Sequence, residues 1–359
     1  MVIPLTIISR AILWNQNLNC FITANHTVMK FTLLLCLLGL TVPGMCQYTY
    51  NQLNVNFLEK ASDAKTYTYE NLRLYPVHAK DGFQKQFKNV GKYMSLPDAI
   101  QKKKVRITEK SDGGTVNNLT IENFGQDTII VICGDVVKGG KQDRIIEEDL
   151  LVAPRSGKKN MKVFCVESGR WNDNRQAVAS RTRSTNGSSS NAASFNSHYN
   201  KGSMSLRKVV EKDKDQAKVW KKVEEINQKN VTVTDTKTYT ALDNSADYSK
   251  KLKNYITFFQ SKFEKDSSVI GVIVVSGNKV LGCDLFATPA LFRSQFPSLL
   301  YGYATEAIVS GDKVSATANN VKPYADSLLK NEISQKAVLE KKGNAFVNKG
   351  RKIRVSSFD

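Results

Sequence analysis

"TIIVICGDVVKGGKQDRIIEEDLLVAPRSGKKNMKVFCVE", Thr128 to Glu167, sets three apolar, β-branched runs close together with no room for a helix between them. The runs are Thr128 to Cys133, Arg144 to Ala153 and Met161 to Glu167, and turn-forming residues separate them at Gly139-Gly140 and at Pro154 to Gly157. Strands this close in sequence, without a crossover helix, pair antiparallel. Upstream, Val105 to Lys110 and Val116 to Asn123 continue the pattern, and Thr66 to Ala79 has the aromatic and β-branched character of a further strand. Between them "SLPDAIQKKK" opens a short helix, with Ser95 as its cap and Pro97 in its first turn.

Downstream the character changes. Residues 175–205 are rich in Ser and Asn and poor in large apolar side chains, so they cannot bury enough surface to offset the entropy of ordering and form a long surface loop. Two amphipathic helices follow. In residues 206–226 the apolar face is Leu206, Val209, Val210, Ala217, Trp220, Val223 and Ile226, with Trp220 assigned to the core. In residues 248–263 it is Tyr248, Leu252, Tyr255, Ile256, Phe259 and Phe263. Val269 to Phe286 reads as a hairpin turning at Ser276-Gly277-Asn278. Thr288 and Pro289 start another helix, expected to break or kink near Pro297, and Ala345 to Phe358 reads as a last turn and strand. The fold class is therefore α+β: an antiparallel β-rich core (about 66–170), covered by helices (about 206–310), with an additional hairpin at 269–286.

Met29-Lys30 followed by the apolar run Phe31 to Val42 and the exit Pro43-Gly44-Met45-Cys46 has the form of a secretory signal peptide, too short for a membrane span. Residues 1–46 are expected to be removed, leaving residues 47–359 as one exported, periplasmic or extracellular domain without a transmembrane segment. Removal takes away Arg10 and Lys30 and lowers the net charge from +19 to +17. The basic runs "QKKKVR" and "GKKNMK" lack the interleaved aromatics of a single-strand groove, so nucleic acid is not the expected partner. Beyond residue 46, Cys133, Cys165 and Cys283 each sit in a strand-like stretch where cysteine acts as a small hydrophobe, and one disulfide among them is compatible with an oxidising compartment. Only His78 and His198 remain, neither at ligand spacing to a cysteine, so no metal and no cofactor are expected.

The block Gly134 to Trp171, with Gly134, Asp135, Gly139, Gly140, Gln142 and Arg144 followed by Cys165, Val166, Glu167, Gly169, Arg170 and Trp171, resembles a domain family named for its association with ADP-ribosylglycohydrolase and rhodanese-phosphatase superfamily proteins. "NLRLYPV", "SLPDAIQKKKVRITE", "LRKVVEKDKDQAKVW" and "GCDLFATPALF" are similar too, so the likeness spans most of residues 70–310. The resemblance implies a fold, export and a setting in ADP-ribose or phosphate-linked metabolism.

The residues supply the chemistry to be tested. Gly139 and Gly140 let the backbone approach a ligand, with Lys141, Gln142 and Arg144 beside them. Arg144 and Arg170, converging from neighbouring strands, would hold a phosphate or carboxylate, and Trp171 would stack on a sugar or base. The expected partner is an anionic small ligand of nucleotide, ADP-ribose or sugar-phosphate type. A hydrolase of phosphate- or glycosyl-linked substrates is one alternative, with Glu167 as general acid or base and Asp135 or Asp143 as second carboxylate. The other is a structural or protein-interaction module in which the motif charges form a buried ion-pair network.

Overall fold

A computed structural model describes residues 48–110, 116–169, 195–196, 201–232 and 234–359. The expected leader at 1–46, most of the Ser/Asn-rich loop, and Arg170 and Trp171 lie outside the described residues. The fold is α+β, with antiparallel sheets of which one curls into a half-barrel.

The hairpin of Val269–Ser276 and Lys279–Phe286 forms the middle of the largest sheet. Leu72–Ala79 and then Leu53–Val55 lie on one side, Arg351–Phe358 and then Gly343–Asn348 on the other, all paired antiparallel. Val269–Ser276 is buried at every position because both faces are covered, which explains why its sequence is a continuous apolar run. On one face Val272 and Val274 meet Leu252 and Phe259 of the helix Ala246–Phe259 and Leu299 and Tyr303 of the helix Pro289–Ser310. On the other, Ile270, Ile273 and Val275 meet Phe83 and Phe87, and Val321 and Leu328 of the helix Ala318–Leu329. A bulge between Val269 and Gly271 shifts the alternation by one residue, so that Val269 shares a face with Val272.

The half-barrel is a six-stranded antiparallel sheet in the order Phe195–Asn196, Val136–Gly139, Arg144–Ile146, Lys158–Cys165, Asn118–Asn123, Val105–Glu109. It wraps its own core of Ile107, Leu119, Ile121, Ile146, Met161 and Val163. Ile129, Val131 and Val152, from a small sheet of Leu150–Val152, Thr128–Val131 and Tyr93–Ser95, pack into the same core with Leu96 and Ala99 of the helix Leu96–Gln101. Ser95 caps that helix as its sequence predicts, its Oγ accepting from the Asp98 N–H at 3.3 Å.

Three expectations are corrected. The run Arg144 to Ala153 is two strands, Arg144–Ile146 and Leu150–Val152, because Asp149 between them turns inward to accept the Cys133 N–H at 2.7 Å. The first amphipathic helix is also divided. Met204–Lys208 passes into a π-helical turn, Val209–Asp213, which ends at Lys214 with φ 50°, and Asp215 caps a new helix, Gln216–Lys229. The interruption resets the phase: Val219, Val223 and Ile226 face the core, while Trp220 is 37 % exposed and is not a core residue. The helix Pro289–Ser310 runs on through Pro297 instead of breaking there. The disulfide status that the sequence left open is answered too: Cys133, Cys165 and Cys283 are buried free thiols.

Candidate functional site

Gly139 ends its strand with φ 128°, and Gly140 follows with φ 57°. A Cβ on Gly140 would lie 2.2 Å from the Phe195 ring and 2.7 Å from the Glu109 carboxylate, so glycine here admits a side-chain lid of the protein's own. The turn is knitted by hydrogen bonds. The Gly139 N–H donates to Asp143 Oδ1 at 2.9 Å, and the Lys141 N–H donates to Glu109 Oε1 at 2.9 Å. Thr238 and Thr240 hydroxyls each donate to Asp143 Oδ2 at 2.7 Å.

Glu167 joins this turn from just past the end of the strand Lys158–Cys165, bridged to Thr238. Its Oε2 accepts the Asp143 N–H at 3.0 Å, and its backbone carbonyl accepts Gln142 Nε2 at 2.8 Å. Arg144 pairs across the ladder with Cys165, two residues before Glu167, and Gln142 bonds Glu167 directly, while the expected convergence of Arg144 with Arg170 falls outside the described residues. Arg144 is only 1 % exposed, yet the sole acid within ion-pair range among the described residues is Glu109, 3.6 Å from Nη2. Its Nε and Nη1, and Oε1 of the buried Gln142, have no hydrogen-bond partner among the described residues. Burial pushes the neighbouring Cys165 thiol up to about 11, with Arg144 pulling the other way, so it stays a protonated, unreactive thiol.

A second polar centre was not anticipated. Arg207 grips Asp284 with both terminal nitrogens, at 2.9 and 2.7 Å. Arg354 Nη2 reaches the same carboxylate at 2.9 Å and Glu211 at 3.3 Å, while its Nη1 takes both oxygens of Asp149 at 2.9 Å. Ser356 donates to Glu211 at 2.6 Å and Tyr303 to Asp284 at 2.7 Å. A separate buried pair, Lys201 and Asp135, lies at 2.6 Å. The π-helical turn brings Glu211 into this cluster, and Gly134, with φ 87°, leaves room for the Arg207 stem, whose Cγ would lie 2.6 Å from a Cβ. Burial raises the Asp284 carboxyl, but the two guanidiniums overcome it and hold the group well below the usual carboxylate range. Beside the cluster a cavity of about 350 Å³ is lined by Glu147, Glu148, Glu211, Lys212 and Lys214, and by Gly343 and Asn344. The sequence signal was a charge set among apolar strand residues, Asp284 alone in "VLGCDLF" and Arg354 between Ile353 and Val355 in "KIRVSSF". Its charged groups tie together four chain segments distant in sequence, those of Asp149, of Arg207 and Glu211, of Asp284 and of Arg354.

A family model described as "ARG and Rhodanese-Phosphatase-superfamily-associated Protein domain" matches residues 61–358. No curated protein and no solved structure matches the chain.

Proposed function

Since this chain belongs to the ARG and rhodanese-phosphatase-superfamily-associated domain family, we propose that it is an exported module that binds an anionic small ligand of nucleotide, ADP-ribose or sugar-phosphate type at the Gly139–Arg144 turn. The observation that carries this reading is the Arg144 guanidinium, buried with two N–H-bearing nitrogens that have no partner among the described residues, together with the Gln142 carbonyl oxygen, likewise without one among them. Buried polar atoms are almost always paired, and an unpaired one costs about 1–3 kcal/mol, more when charged. A phosphate on Arg144 and a ribose or sugar hydroxyl on Gln142 would satisfy both at once. Asp143 is already occupied by two threonine hydroxyls and a backbone N–H, which limits its repulsion of such a ligand. Glu167 holds the turn by its bond to the Asp143 N–H.

The test is thermal stabilisation by ADP-ribose, nucleotides and sugar phosphates, in low and high salt. A shift that survives high salt and disappears in Arg144→Lys and Arg170→Ala supports the site. No shift with any of these compounds, or one of equal size in both variants, ends the proposal. Hydrolysis of the bound compound, abolished in Glu167→Gln, would move the reading from binding module to hydrolase.

A further inference from the structure

One end of the half-barrel gathers the start of Val105–Glu109, the turn after Asn118–Asn123 and the turn before Lys158–Cys165. Three turns therefore share one tip, and exposed basic residues crowd it: Lys103, Lys104, Arg106, Arg155 and Lys158. At its apex Phe124 is 46 % exposed, with the Arg106 guanidinium 5.0 Å from its ring centre. Glu122, half-buried between Arg106 and Lys158 in the ladder, and the exposed Asp127 are the acids nearby in the chain and register, and basic residues outnumber them.

The tip is rigid. Asn123, 1 % exposed, donates from Nδ2 to the Asp127 and Val152 carbonyls at 2.8 and 2.9 Å and accepts the Gly125 N–H at 2.8 Å. The Phe124 N–H donates to the Lys104 carbonyl at 2.8 Å and the Arg155 N–H to the Asn123 carbonyl at 3.1 Å. Lys103 and Arg155 hold left-handed backbone, φ 54° and 51°, where side-chain-bearing residues are uncommon and local strain often marks a functional segment. A prearranged tip of this kind loses little freedom on docking.

We propose that this tip docks on an anionic phospholipid surface, Phe124 entering the headgroup boundary while the surrounding lysines and arginines pair with lipid phosphates and carboxylates. A single-stranded nucleic acid fits less well. It needs several open aromatic faces along a groove, and here one ring is exposed at the tip with a guanidinium beside it.

Co-sedimentation of the full chain with vesicles tests the idea. The chain is expected to partition onto mixed phosphatidylcholine and phosphatidylserine vesicles and not onto phosphatidylcholine alone. Any contribution of the apolar run Phe31 to Val42 is common to every variant. Partition falls by about fivefold for each basic residue neutralised, as in Lys103→Gln with Lys104→Gln. It falls by about tenfold in Phe124→Ala. Equal binding to neutral vesicles overturns the proposal, as does binding untouched by these substitutions. Retention of single-stranded DNA, lost in the same variants, with no vesicle binding would overturn it in favour of nucleic acid.

Discussion

Replacing Asp284 with asparagine removes the carboxylate that Arg207 and Arg354 share and leaves two guanidiniums in a dry interior. Loss of one partner from such a cluster costs about 3–5 kcal/mol, so the urea midpoint at neutral pH should drop sharply. The pH dependence has a definite sign. Asp284 is depressed in the folded chain, so its contribution is complete above the unfolded carboxyl value near ~4 and is lost as pH falls below it. The Asp284→Asn protein should therefore lose stability less steeply than the parent on acidification, as urea titrations at successive pH values would show. At this scale the sequence was legible where a residue acts on its neighbours. The Ser95 cap and the Gly139-Gly140 turn are local, and both stand in the structure. Arg207, Glu211, Asp284 and Arg354 were opaque because each finds its partners across the fold, Arg207 and Asp284 at a separation of 77 residues.

Among the elements, the long helix Pro289–Ser310 tests how tertiary packing overrides local preference. Pro297 has no N–H to offer the Arg293 carbonyl, and an interior proline disfavours a helix by about 3 kcal/mol. The helix persists because Phe292, Phe296, Leu299, Leu300 and Tyr303 are buried on its core side, while Pro297 itself faces outward. Pro297→Ala should restore the missing bond and raise the melting temperature, by about 1–3 kcal/mol of stability, measurable by calorimetry. A lower melting temperature would mean that the proline shapes the packing below it. Periodicity located helices whose one buried face leaves a simple repeat, as in Tyr248, Leu252, Tyr255 and Phe259, but passed over Asp81–Phe87, Ala318–Leu329 and Glu332–Lys342. It failed at the π-helical turn, where Lys214 ends one phase and Asp215 begins another, and Trp220 followed the wrong one.

For the whole molecule, composition and turn spacing were enough to reach an α+β class, and the motif block was enough to reach the family that residues 61–358 match. Strand order was not legible. The largest sheet joins Leu72–Ala79 to Val269–Ser276 and Lys279–Phe286 to Arg351–Phe358, pairings set by which buried faces fit and not by chain proximity. Asp149 from the half-barrel side, Glu211 from the π-helical turn and Asp284 and Arg354 from the largest sheet meet in a single network, so the layers share one electrostatic centre.

Arg351–Phe358 lies between Lys279–Phe286 and Gly343–Asn348, so both neighbouring strands depend on it for their pairing. A nascent polypeptide cannot complete its largest sheet until those residues have been made, and closing such distant pairings is slow. Until then Lys279–Phe286 presents an unpaired apolar border, and Asp284 waits without Arg354. A chain ending at residue 350 should fail to reach the native state and should aggregate or be degraded, seen as loss of a cooperative melting transition.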